Sequence, residues 1–338
     1  MRQSARRAVW VVSIALLCAA GGVAAADDPA AAGAAPGIAL PAGFEQRPAV
    51  ATAGAATDPL FAAARAGTRI VAVGDHGIVV LSDDGGKHFR QARSVPTRAT
   101  LNDVRFLNDK EGWIAGHWGV ILHTMDGGET WAMQHSDTSV DRPLFTLWFR
   151  DHDHGFAAGL WSLLLATSDG GKSWQTVSVP VPAGAKKADR NLYRLFGDGN
   201  GLLLLAAEQG MVYRSADAGA AWEGIATGNK GTFWCGLILD DGTALLGGLA
   251  GQVFRSVDAG KSWSGVDSHT QSSITDLVQL PDGSVAGVGL DGVSIASTDR
   301  GQSFIATQRE DRVSLTALVG NADGRPVVFS KRGVVVSK

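Results

Sequence analysis

From about residue 57 onward, apolar positions fall in runs of four to seven residues separated by Gly, Asp and Asn. The stretch Leu101 to Gln134 shows the plan. Leu101-Asn102-Asp103-Val104-Arg105-Phe106 alternates in character, Leu107 to Glu111 is a polar turn, and Gly112 to His117 is a second apolar run. Gly119 to Thr124 is a third, after a tight Gly-containing turn, and Trp131 opens a fourth. Short runs bounded by turn residues predict antiparallel hairpin strands. No segment after residue 27 keeps a 3.6-residue period, so helix is expected to be scarce.

The four-strand unit recurs, and one turn marks each copy. It reads hydroxyl residue, any residue, Asp, any residue, Gly, two residues, then Trp or Phe. Copies run from Ser82 to Phe89, Thr124 to Trp131, Thr167 to Trp174, Ser215 to Trp222, Ser256 to Trp263 and Ser297 to Phe304, and another begins at Ser337. Their first residues lie 42, 43, 48, 41, 41 and 40 positions apart. A period near 40 residues points to a propeller or solenoid. Seven copies predict an all-β, seven-bladed β-propeller of four-stranded blades. The last repeat stops after its third run, Gly333 to Ser337, so a strand from about Phe44 to Val50 is expected to close the ring. Pro48 restricts that strand to an outer edge, because proline donates no ladder hydrogen bond.

The recurring turn has a structural explanation. An Asp carboxylate accepts hydrogen bonds from nearby backbone N–H groups, and Gly takes conformations other residues resist. The aromatic residue then packs into the sheet, Trp bringing an N–H that needs a partner. Asp84, Asp126, Asp169, Asp217, Asp258 and Asp299 are therefore read as turn staples, not as catalytic acids.

This turn resembles the Asp-box, or bacterial neuraminidase repeat. The fuller unit narrows the likeness: Leu101 to Phe106, Gly112-Trp113-Ile114-Ala115-Gly116, Gly119 to Thr124 and Asp126-Gly127-Gly128-Glu129-Thr130-Trp131. It is similar to the repeat of the photosystem II stability and assembly factor family, over about residues 57 to 338. The likeness is most specific in blades two and three, and departs from the pattern where Phe304 replaces Trp and the last box is cut short. It implies a seven-bladed propeller; family members act in the thylakoid lumen, and relatives occur in bacteria without photosynthesis.

The beginning of the chain reads differently. Arg2, Arg6 and Arg7 precede an apolar run from Ala8 to about Leu17, and Val23-Ala24-Ala25-Ala26 offers a cleavage site. Residues 1–26 are thus expected to be a secretory signal peptide. Cys18 follows Leu17, where a lipoprotein signal wants a small residue, so lipidation is not expected. Residues 27–43, rich in Ala, Pro and Gly, read as a flexible leader, and residues 44–338 as the propeller. No later stretch is apolar enough to span a bilayer. The expectation is an exported, periplasmic monomer without stable membrane insertion.

Charge and cysteine usage refine this. Removing the signal leaves 27 basic and 33 acidic residues, a net charge near −6, which argues against non-specific nucleic-acid binding. Cys235 is the single cysteine left, in an inner-strand context that favours burial.

The placing of charge says more than its total. In a four-stranded blade, the loop into the first strand and the turn between strands two and three share a face, and the Asp boxes lie on the other. The first face is expected to collect Arg90, Arg93, Arg98, Arg142, Lys186, Lys187, Arg190, Lys230, Arg309, Arg312, Lys331 and Arg332, with fewer acids. His117, Trp118 and Trp161 are expected to be exposed beside them. Trp and Arg anchor protein interfaces. The longest spacing comes from Val179 to Asn191, an insertion with Pro180, Pro182, Lys186 and Lys187 on that face. Such insertions often mark a repeat array's binding face.

Two catalytic alternatives use the same residues. A sialidase-like glycosidase needs a Tyr nucleophile, an acid and an arginine triad. Only Tyr193 and Tyr213 exist, Tyr213 on a third strand, with Tyr193-Arg194 expected to line the channel and Asp103 and Asp276 on neighbouring inner strands. Gln46-Arg47-Pro48 is no adequate arginine motif. Asp151-His152-Asp153-His154 carries metal-competent side chains, but contiguous turn residues seldom converge on one ion. The reading is a non-enzymatic assembly or docking factor with no metal and no cofactor. Its expected partner is a membrane or cell-envelope protein presenting an extended or acidic segment.

Overall fold

The computed structural model describes residues 47–335. Seven antiparallel sheets succeed one another, each strand pairing with the next in sequence. Blade two comprises Leu101–Phe106, Gly112–Gly116, Ile121–Thr124 and Ala132–His135, within one or two residues of the pattern-based expectation. The inner strands of the other blades are Leu60–Ala66, Leu144–Phe149, Leu192–Gly197, Phe233–Ile238, Ile274–Gln279 and Leu315–Gly320. Each inner strand packs on that of the following blade, and Leu315–Gly320 packs on Leu60–Ala66, so the ring closes. The molecule is a seven-bladed β-propeller. The helices among the described residues are three-residue 3-10 turns. The outer strands are the least regular elements, down to two residues at Arg90–Gln91 and Gln175–Thr176.

The core lies between blades rather than within them. Among the described residues, seven apolar clusters each draw on two adjacent blades. Leu192, Leu203, Leu205 and Tyr213 of blade four, for example, meet Phe156, Ala158 and Leu164 of blade three. A middle strand covered on both faces should read as an unbroken apolar run. Gly155–Gly159, Leu203–Ala207 and Ala244–Gly248 are buried at every position.

The Asp boxes fasten these stacked sheets. In blade two, Thr124 Oγ1 donates to Asp126 Oδ1 at 2.8 Å, Thr130 N–H donates to the same oxygen at 2.9 Å, and Gly128 N–H donates to Thr124 Oγ1 at 3.1 Å. The equivalent hydroxyl-to-Asp bond recurs at Asp84, Asp169, Asp217, Asp258 and Asp299, at 2.7 to 2.9 Å. Hydrogen bonds to these carboxylates, from Ser173, Ser262 and Ser303 respectively, hold Asp169, Asp258 and Asp299 at about 2. Any stability they contribute is present above the ordinary Asp range and is lost as pH falls toward 2. The Trp131 and Trp263 indoles donate to the carbonyls of Gly128 and Gly260. Trp174 and Trp222 bury theirs without a hydrogen-bond partner among the described residues.

The glycine at the fifth position of the box reaches the preceding blade. Gly219 has φ 90°, and a Cβ there would lie 2.1 Å from Phe156 Cζ of blade three. Gly86 of blade one meets Val327 of blade seven in the same way, at 2.7 Å. Blades seven and one are thus joined as the others are, with Phe89 edge-on to Phe329 at 5.8 Å. Thr316 Oγ1 also donates to Leu60 O, and Asn321 Nδ2 to Gly85 O.

The expected closing strand is partly described. Phe44 to Gln46 lie outside the described residues, as do Cys18 and the segments expected to be a signal and leader. Arg47–Val50 form no strand. Ala49 N–H donates to Val95 O, Arg98 Nε to Pro48 O and Gln91 Nε2 to Val50 O, which ties this segment to blade one and the loop after it. The last sheet accordingly has three strands among the described residues. The 3-10 turn Ala55–Thr57 fills space beside it, Ala56 O lying 2.0 Å from where a Gly333 Cβ would stand.

Two variants test the fastening. Asp126→Ala strips acceptors from the turn and should lower unfolding free energy by about 1–3 kcal/mol at pH 7, the difference narrowing in acid as the wild-type carboxylate protonates; denaturant titration at both pH values measures it. Gly219→Ala should be far more destabilising than Gly242→Ala. Both residues have positive φ, but a Cβ at Gly242 meets nothing within 4 Å, leaving backbone strain of about 1–2 kcal/mol. Equal losses for the two would remove the case for close packing at the box.

Candidate docking face and channel

The turn between strands two and three packs against the loop into the first strand of its own blade. His117 N–H donates to Thr100 O, Leu160 N–H to Pro143 O and Leu249 N–H to Thr232 O. These loops therefore form one face. The box turns meet the other set of turns, as when Gly127 N–H donates to Lys110 O and Gly170 N–H to Asp153 O.

A tight turn forces its central residue into the left-handed region. That residue is His76, Trp118, Trp161, Gln209, Ala250 or Asp291, at φ 53 to 58°. Such backbone costs a non-glycine residue about 1–2 kcal/mol and clusters at functional sites. Trp161 is the extreme case. Ser162 after it is also left-handed, at φ 57°, where the other five turns have glycine. The pair is held by the long insertion, Trp161 N–H donating to Asn191 Oδ1 at 3.0 Å and Ser162 N–H to Arg190 O at 2.8 Å. The indole is 59% exposed. His117 and Trp118 are half-buried, contrary to the expectation of exposure. His117 Nδ1 lies 3.0 Å from Asp141 Oδ2, Trp118 N–H donates to Asp141 Oδ1, and the Trp118 ring packs on the cluster of blades one and two.

The basic residues divide into two groups. Arg98 is held by Pro48 O, Arg142 Nη2 lies 3.3 Å from Asp137 Oδ2, and Arg309 Nη2 lies 2.7 Å from Asp311 Oδ2. Ser139 and then Arg142 draw Asp137 below the usual carboxylate range, and Arg309 holds Asp311 at about 2. Arg190, Lys230, Arg312 and Arg332 make no ion pair among the described residues, and all but the half-buried Arg190 are exposed. Arg90 does not belong to this face. It binds Glu129 and Asp83 of the box turns, and Arg93 N–H donates to Glu129 O. The cause is the two-residue outer strand, which ends before the chain has crossed the blade.

Each inner strand carries one β-bulge at its second residue, in all seven blades. The bulged residues are Phe61, Asn102, Phe145, Tyr193, Trp234, Thr275 and Thr316. Asn102, Thr275 and Thr316 hydrogen-bond to the first carbonyl of the next inner strand. On blades one, three, four and five the position is aromatic instead, and Phe145 and Tyr193 stack at 5.1 Å. A basic residue precedes the aromatic on blades three, four and five: Arg142 and Arg190 by three positions, Lys230 by four. Sequence reasoning passed over Phe145 and Trp234. The signal was an aromatic directly after the first apolar residue of a repeat, which single-strand alternation does not distinguish from core.

Deeper, the channel is closed by charge. Arg194 Nη1 lies 3.5 Å from Asp103 Oδ1 and Nη2 lies 3.5 Å from Asp276 Oδ1. The three come from blades four, two and six, so they meet across the axis rather than on neighbouring strands. The carboxylates pin inner strands: Asp103 accepts from Leu147 N–H and Thr146 Oγ1, and Asp276 from Leu277 N–H and Leu318 N–H. Burial raises Asp276. The Tyr193 hydroxyl lies 3.4 Å from both Glu208 Oε1 and Asn191 Nδ2. Tyr213 is buried on a third strand, which raises it. Cys235 is buried, and its thiol is pushed up by burial.

The histidine-rich turn does not gather. Asp151 accepts from the His154 and Asp153 N–H groups, while His152 Nδ1 turns to Glu111 Oε1 at 2.6 Å, an oxygen it shares with His123. No group of three potential ligands is poised around a metal position among the described residues.

The sequence and the fold both have known counterparts. The chain is 37% identical over 140 residues to photosystem II assembly protein Ycf48 of Thermosynechococcus vestitus, covering 40% of this chain and 38% of that protein. It is 31% identical over 70 residues to photosystem II assembly lipoprotein Ycf48 of a Synechococcus species, covering 20% and 21%. The chain thus matches well under half the length of these relatives. Among solved structures, YCF48 bound to D1 peptide superposes with TM-score 0.66 at 18% identity, over 86% of this chain and 96% of that one. YCF48 from Cyanidioschyzon merolae gives 0.67 at 16%, over 82% and 95%. The sequence profile described as "Photosynthesis system II assembly factor YCF48" matches residues 50–140, 91–235 and 133–335. The chain belongs to that family of Asp-box β-propellers.

Proposed function

We propose that this protein is a non-enzymatic, exported assembly factor. It docks an extended, acidic segment of a membrane or cell-envelope protein on the loop face, centred on blades three to five and flanked by Arg312. Family membership supports an assembly role, and a relative of the same fold is described with a bound D1 peptide. The observation that carries the reading is the run of basic and aromatic pairs: Arg142 with Phe145, Arg190 with Tyr193, and Lys230 with Trp234, beside exposed Trp161. Aromatic rings anchor apolar side chains of a partner, while basic groups, among them Arg190 and Lys230 with no ion pair among the described residues, steer acidic ones. An export signal over residues 1–26 would place the protein in a periplasm or its equivalent, where a monomeric propeller meets the outward side of membrane proteins.

Glycosidase chemistry gains no support. The Tyr193 hydroxyl lies beside Glu208 and Asn191, and Tyr213 is buried on a third strand.

Exposed ion pairs are individually weak, about 0.2–1 kcal/mol, so the test reverses three charges together. Arg142→Glu, Arg190→Glu and Arg312→Glu in one variant should weaken binding of the D1 peptide held by the relative at least tenfold at low salt. The same variant should lose crosslinked envelope partners in the native periplasm. The deficit should shrink with added salt, over a Debye length near 10 Å at about 0.1 M, and thermal unfolding should be almost unchanged. A folded variant that binds like the wild type at low salt overturns the reading.

A further inference from the structure

The lower channel holds a second site, on the box side and away from the proposed docking face. A cavity of about 530 Å³ opens between the turns that follow the inner strands, within the size range of small-ligand sites. Its charged lining holds three arginines from three blades, Arg65, Arg105 and Arg194, with Asp240 and Asp276.

These guanidinium groups are poorly matched. Arg105 Nε is buried without a hydrogen bond, 3.6 Å from Asp103 Oδ2. Arg194 Nε is buried without a partner too, and its other nitrogens stand 3.5 Å from their carboxylates. A charge-assisted hydrogen bond spans about 2.7–2.9 Å. The carboxylates cannot close the gap, because Asp103 and Asp276 already accept backbone N–H groups that fix the inner strands. Asp240 on the rim is turned to Arg300, at 3.1 Å. Arg65 is exposed and donates only its Nε, to Gly67 O. Buried guanidinium donors thus lack acceptors, at Nε of both Arg105 and Arg194. Burial, and then the neighbouring Arg194 charge, depress Arg105. A buried donor left without an acceptor is costly, and a bound anion supplies acceptors to the guanidinium groups that line the cavity.

We propose that this cavity binds a monocarboxylate carried on a small apolar group. A planar carboxylate offers two acceptors to a guanidinium fork, and Leu277, Val278, Pro281 and Leu318 would cover the apolar part. The carboxylate comes either from a free short-chain acid or from the C-terminus of a polypeptide.

Calorimetric titration of the whole protein with hexanoate, with a short peptide ending in a free Leu carboxylate, with its C-terminal amide and with inorganic phosphate tests this. Hexanoate or the free-acid peptide, or both, should bind one to one, and whichever binds identifies the source. The amide should bind at least tenfold more weakly than the free acid. Arg105→Gln should weaken binding at least tenfold. Because Arg105 is inside the channel, Arg65→Gln on the exposed rim provides a second variant, expected to weaken binding severalfold without affecting folding. The variant reversed at Arg142, Arg190 and Arg312 should bind as the wild type, which separates this site from the docking face. Absence of binding by both carboxylates at millimolar concentration, tighter binding of phosphate or of the amide, or affinity indifferent to Arg65→Gln in folded protein overturns the proposal.

Discussion

The structure depends on apolar surface shared between neighbouring sheets. No blade has a core of its own; each cluster is completed by the next blade. A lone four-stranded sheet would leave residues such as Leu203 and Leu246 in water, and burying a Leu side chain is worth about 1.5–3 kcal/mol. Stability is therefore nearest-neighbour in character, and the ring must close or leave one cluster open. Phe329, Ile70 and Leu60 complete it between blades seven and one.

The Asp box is the device that sets how closely the sheets stack. Its Asp and hydroxyl fix the turn, and the fixed turn lets a glycine with no side chain press on the preceding blade at Phe156, Leu204, Leu245 or Val327. The repeated Asp residues thus look catalytic only when the period is ignored. With one face given to these fastenings, the opposite loops vary freely, and blade three uses that freedom to hold two left-handed residues under an exposed indole.

Much of this was legible in the sequence because it repeats. The period, strand limits such as Leu101–Phe106, the burial of Cys235 and the channel-lining Arg194 all follow from spacing or alternation. What was not legible arises from contacts between repeats. Arg90 sits with Glu129 because its outer strand is only two residues long, and Trp118 folds back onto a neighbouring cluster. Arg47–Val50 are drawn to Gln91 and Arg98 instead of joining the last sheet. The aromatic bulge positions need the seven repeats aligned in register before they separate from ordinary core.

The account's central claim is that one face fastens the ring while the other docks a partner. Hydrogen–deuterium exchange of the protein with and without the D1 peptide tests it most directly. Added protection is expected in residues 137–142, 160–163, 184–193 and 229–235, with the box turns unchanged. Protection that instead falls on the turns around Asp84, Asp126 and Asp169, leaving the Trp161 loop unaltered, would contradict it.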